Sequence, residues 1–254
     1  MFPGLKFIVG LLLALLPLTV QAGEINLEDV VRTLERPFQR NTPAAQRIAG
    51  FRGEFKQQSR VAAIDRVQQG AGEVLFKFDE VADQTSLRPR FRWDYRLPTE
   101  QTIISDGRTL WVYIPDNRQV VRSDVSQIRA GQGENPLTLL NGLGDLSANF
   151  TIAWADSRTD ERGNYRLALR PRQNSQLVQS MTVLVSQRAL EEWLQQQQTG
   201  ASFPLLATEV IDAQGNRTRI SFQQMEISKD LPDQLFQFQP PADVEVVTPE
   251  ELSF

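Results

Sequence analysis

A chain of 254 residues with no cysteine and no histidine has room for a sizeable core. Those two absences exclude disulfides, thiolate or histidine metal sites, and Ser-His-Asp or Cys-His catalysis. A formal charge of −4 argues against a general polyanion binder, so nucleic acid is not an expected partner.

The first 22 residues, MFPGLKFIVGLLLALLPLTVQA, carry one cation at Lys6, an apolar run from Phe7 to Leu16, and Val20-Gln21-Ala22 as a cleavage site. That is the layout of a secretory signal peptide, with an uncleaved N-terminal anchor as the alternative. Its removal takes one cation and no acid, which leaves a charge of −5. No cysteine follows it to accept a lipid. The expected mature protein is therefore a soluble single domain of residues 23–254 in a Gram-negative periplasm.

Residues 26–35 place Leu27, Val30, Val31 and Leu34 at helical spacing behind the capping residue Asn26, and Pro37 ends that helix. A second short helix is expected over 43–50. From Phe51 the period changes to two. Phe51 and Phe55, then Val74, Phe76 and Phe78, then Phe91, Trp93 and Tyr95 mark successive strands. The segments TIIS and TLWVYI follow, split by the hairpin signal Asp106-Gly107. Further strands carry Phe150, Ile152 and Trp154; Tyr165, Leu167 and Leu169; Met181, Val183 and Val185; Ile220 and Phe222; and Leu235 with Phe238. Two helical interruptions stand apart, NPLTLLNGL with Leu137, Leu139, Leu140 and Leu143, and QRALEEWLQQQQ with Leu190, Trp193 and Leu194. Ten or eleven strands joined by short turns predict a single large antiparallel sheet, curled into a barrel or an incomplete, half-open β-barrel.

Motifs for chemistry are sparse. Gly70-Ala71-Gly72 leads into a strand rather than a helix and reads as a turn or bulge, not a phosphate loop. Glu191-Glu192 and Asp79-Glu80 sit in polar surroundings and read as solvated, although a fold-assembled carboxylate pair stays open. In RPRFRWDYRLP, residues 88–98, strict alternation puts Phe91, Trp93 and Tyr95 on one face and Arg90, Arg92 and Arg96 on the other. A surface for stacking bases would need rings and cations together. The plainer reading is a half-buried strand with its arginines in water.

Taken with the signal peptide and the missing cysteine, RPRFRWDYRLP…IISDGRTLWVYIP resembles the Arg-Pro…Phe-x-Trp…Ser-Asp-Gly-x-x-Leu-Trp-x-Tyr signature of the outer-membrane lipoprotein carrier family, LolA. FRGEFKQQ, NPLTLLNGL and LFQFQPPADVEVV resemble its first strand, lid helix and closing segment, so that the likeness covers about residues 51–247. The resemblance implies a half-open barrel with a helical lid, no catalytic residues and no cofactor or metal. It also implies an apolar cavity for lipoprotein acyl chains, lined here by Phe76, Phe91, Trp93, Ile103, Trp111, Leu137 and Leu140. It assigns Arg88 as the latch that bonds lid carbonyls and holds the empty cavity shut. Its implied partners are lipoproteins, an inner-membrane ABC transporter that loads the carrier and an outer-membrane receptor that unloads it, with the carrier itself a monomer. Departures from the family pattern are the residues inserted at 78–87 and 187–207, one residue fewer between Pro89 and Phe91, and Pro37 and Pro43 in the N-terminal helix. Two other readings stand beside the carrier: a sensor of the same fold that binds lipid or lipoprotein fragments, and a hydrolase of an envelope polymer.

Overall fold

A computed structural model describes residues 25–81, 87–125, 140, 142–196 and 200–252. Among the described residues twelve strands form one sheet: β1 (Gly50–Val61), β2 (Arg66–Asp79), β3 (Arg88–Leu97), β4 (Gln101–Ser105), β5 (Thr109–Ile114), β6 (Gln119–Asp124), β7 (Phe150–Thr159), β8 (Tyr165–Pro171), β9 (Ser180–Val185), β10 (Leu205–Ile211), β11 (Arg217–Ile227) and β12 (Glu245–Val247). Their order is β12-β6-β5-β4-β3-β2-β1-β11-β10-β9-β8-β7, so the sheet is open, with β12 and β7 as its edges. Every pairing is antiparallel except that of β12 with β6, which makes the sheet mixed where a purely antiparallel one was expected. The two wings meet where β1 pairs with β11, in a register that sets Phe51 against Ile227 and Phe55 against Phe222.

Local chemistry sets the turns. The segments DERGN and DAQGN, at 160–164 and 212–216, close two hairpins in the same way. In each, the leading aspartate Oδ1 accepts the backbone N–H groups two and four residues on, and its Oδ2 accepts the side-chain amide of the asparagine. The β4–β5 hairpin turns at Asp106-Gly107, where Gly107 has φ +87°. Gly70 and Gly72 lie within β2, beside a register shift against β3, which agrees with a bulge rather than a phosphate loop. The helix expected at 43–50 is a single 3₁₀ turn, Ala44–Gln46, because β1 already begins at Gly50. Residues 235–238 are not a strand; Leu235 and Phe236 complete a 3₁₀ turn, Asp233–Phe236, and Gln237 and Phe238 run on from it as a strap.

Antiparallel pairing assigns each side chain to a face. Phe51, Phe76, Phe91, Trp93, Ile103, Val112, Phe222 and Val183 share the inner face. Helices α1 (Leu27–Glu35), α2 (Leu146–Asn149) and α3 (Gln187–Gln196) contribute Val30, Leu34, Leu146 and Leu190 to the same continuous core. The outer face is apolar too, around Ile104, Trp111, Tyr113 and Val120, and the C-terminal strap reaches it. Lys77 Nζ donates to the Leu231 carbonyl at 2.9 Å and pairs with Asp233. Arg90 pairs with Asp79 and Asp233 and lies 5.9 Å from the Phe236 ring centroid. The Phe238 ring meets Trp111 at 6.3 Å and Tyr113 at 5.7 Å.

Candidate functional site

Strand β3 organises the inner face. Phe91 pairs across β2 with Phe76 and across β4 with Ser105, while Trp93 lies between Val74 and Ile103. Phe76 and Trp93 are fully buried, Phe91 and Ile103 nearly so. The rings form a contiguous wall. Phe51 stacks on Phe76 at 4.9 Å, Phe76 on Phe91 at 5.5 Å, and Phe55 meets Trp93 edge-on at 4.7 Å. Leu140 is buried in the same cluster, whereas Leu137 lies outside the described residues.

Trp111 does not join them. The β4–β5 register places Trp111 opposite Ile104 and Leu110 opposite Ser105, so the tryptophan faces outward onto Phe238. Leu110 and Val112 take the inner positions. The parity was countable across Asp106-Gly107, but Leu110, Val112 and Ile114 alternate with Trp111 and Tyr113, so neither set marks itself as the inner one. Phe51, Phe55 and Phe222 also belong to the wall and show in the sequence only as strand residues. The strand arginines are not simply solvated: Arg90 pairs with Asp79, Arg92 with Asp94 and Arg96 with Glu73.

Arg88 opens β3 opposite Asp79 and lies along the β4–β5 turn. A Cβ added at Gly107 would stand 2.9 Å from its Cδ. Its Nε is buried and bonds no described residue. By the β2–β3 register Arg88 shares the outward parity of Arg90; two further buried polar atoms that bond no described residue, Trp93 Nε1 and Thr208 Oγ1, belong to the inner face. Buried polar atoms without partners are uncommon in folded proteins. On the helical side, Glu35 at the end of α1 accepts the backbone N–H and hydroxyl of Ser147, which ties α1 to α2. Burial pushes its carboxyl above the ordinary carboxylate range, against the pull of the two Ser147 bonds. The described residues contain no cluster of three acidic metal ligands. None of their helices is long and apolar enough to cross a membrane.

An open sheet with an aromatic inner face, covered by helices and backed by a C-terminal strap, defines a class of β-rich domains built around one greasy surface. The chain matches the family described as outer membrane lipoprotein carrier protein LolA over residues 46–239, and it belongs to that family. A relative from Albidiferax ferrireducens, named outer-membrane lipoprotein carrier protein, is 35% identical over 161 residues, covering 62% of this chain and 68% of the relative. One of the same name from Dechloromonas aromatica is 27% identical over 260 residues, covering 95% and 96%. A LolA superfamily protein from Nitrosomonas europaea aligns over 85% of this chain and 99% of its own, at 17% identity and a TM-score of 0.40.

Proposed function

We propose that this protein is a periplasmic lipoprotein carrier that takes acyl chains onto its inner face and ferries acylated polypeptides from the inner to the outer membrane. Family membership supports the carrier role, and the observation that carries the binding site is the contiguous wall of Phe51, Phe76, Phe91 and Trp93 under a helical cover. The physical demand is clear. A chain of about fifteen methylenes costs roughly 12 kcal/mol in water, at about 0.8 kcal/mol each. A soluble carrier must offset that with apolar surface and then give it up. The wall belongs to one core cluster with Leu140, Leu143 and Leu146, so an acyl chain that enters it displaces the helical side of that core. Arg88 serves as the latch in this reading, since its buried Nε has bonding capacity to spare among the described residues. Export by a signal peptide at 1–22, a single domain over 23–254, loading by an ABC transporter, unloading by an outer-membrane receptor and the absence of catalysis belong to the same proposal.

Native mass spectrometry of the mature chain purified from its host's periplasm tests it. The expected result is a population bound to acylated polypeptide. A protein carrying no acylated polypeptide overturns the reading.

A further inference from the structure

The inner face is not uniformly apolar. Along β3 its residues run Phe91, Trp93, Tyr95, and the character of the face changes with them. Tyr95 opens onto a groove of about 650 Å³ whose lining includes Gln57, Ser59, Gln68, Gln101 and Thr218, with Ile103 shared between the groove and the aromatic wall. That lining holds one cation, Arg66, and no carboxylate. Tyr95 Oη donates to Gln57 Oε1 at 2.7 Å, and Gln57 Nε2 and Thr218 Oγ1 each lie 3.1 Å from Ser59 Oγ. This chain of bonds crosses β2 at Gly70, where a Cβ would stand 3.2 Å from the Tyr95 ring. The amides of Gln68 and Gln101 line the same groove and bond no described residue.

The groove runs from Gln101 on β4 to Thr218 on β11, across four interstrand gaps. At about 4.8 Å each that is roughly 19 Å, the reach of about six extended residues. Each glutamine amide offers a donor and an acceptor, the combination that a peptide backbone requires. A phosphate would call for several cations, and the lining supplies one. Trp93 does not line the groove, but it precedes Tyr95 on the same face of β3 and pairs with Ile103. It is fully buried, with its Nε1 without a partner among the described residues.

We propose that this groove is a peptide subsite: it holds, in extended form, the first residues of the polypeptide joined to the lipid, while Trp93 Nε1 donates to a carbonyl of the linkage. This rests on the carrier reading, and the test separates the two. Binding of the mature chain is measured with two probes, a synthetic tripalmitoylated cysteinyl hexapeptide with uncharged side chains, and palmitic acid. The variant is Gln68→Leu/Gln101→Leu, at one exposed and one half-buried position outside the core, with near-UV circular dichroism as the check on folding. Loss of two hydrogen bonds should weaken lipopeptide binding about tenfold and leave palmitic acid binding unchanged. Unchanged lipopeptide binding overturns the groove assignment, and so does equal weakening toward both probes. A wild-type chain that binds neither probe overturns the carrier reading and the groove with it.

Discussion

Thr208 lies on β10 between Ile220 of β11 and Val183 of β9, 2% exposed, and its Oγ1 bonds no described residue. Burying a hydroxyl without a partner costs about 1–3 kcal/mol. Valine keeps the branched shape, exchanges the hydroxyl for a methyl and suits a buried strand. Thr208→Val should therefore stabilise the ligand-free protein by about 1–3 kcal/mol. In a domain of this size about 1 kcal/mol moves Tm by roughly 2–4 °C, so the expected rise is roughly 2–12 °C. Thermal unfolding of the delipidated mature chain, followed by circular dichroism or calorimetry, reads the shift. A lower Tm for the variant refutes the reasoning, because the hydroxyl would then be making a bond that supports the fold.

Glu35→Gln isolates a pH dependence. Burial raises the Glu35 carboxyl, so the folded chain holds that proton more tightly than the unfolded chain does. The stability of wild type relative to the variant is then greatest below the ordinary value of about 4.5 and declines as pH rises through the folded value. Urea midpoints across that range check it, and a pH-independent difference contradicts it. Gly107→Ala imposes a side chain at φ +87° and a 2.9 Å approach to Arg88 Cδ. The expected loss is about 1–3 kcal/mol. Adding Arg88→Ala should recover the steric share and leave the backbone share, a coupling that a double-mutant cycle measures.

The alternation of Phe91, Trp93 and Tyr95 was legible because β3 is apolar on one face and charged on the other, and a period of two is then unambiguous. Trp111 was assigned to the wrong face for the opposite reason. The strap reaches the outer face of β5, so both faces of TLWVYI are apolar and the pattern loses its parity. Strands β6, β10 and β12 escaped notice in the sequence, β12 because three residues carry no period at all. The polar groove was illegible for a different reason. Gln57, Gln68, Gln101 and Thr218 come from four strands and meet only once β1 lies between β2 and β11. Glu35 reads as an exposed helix end until Ser147, 112 positions away, is brought to it.

The pairing of β1 with β11 also dictates an order of assembly. Within each wing, neighbours such as β1 and β2 or β10 and β11 are joined by short turns, so their pairing requires little loop closure. The join between the wings sets Phe51 against Ile227, and it can zip only when almost the whole chain is present. Contacts of such sequence separation slow folding. Until β11 arrives, β1 keeps one hydrogen-bonding edge bare, with Phe51 and Phe55 beside it. The same aromatic residues that build the inner wall are thus the most adhesive part of the half-made protein, and the folding chain must itself be kept from its neighbours before it can shelter anything else.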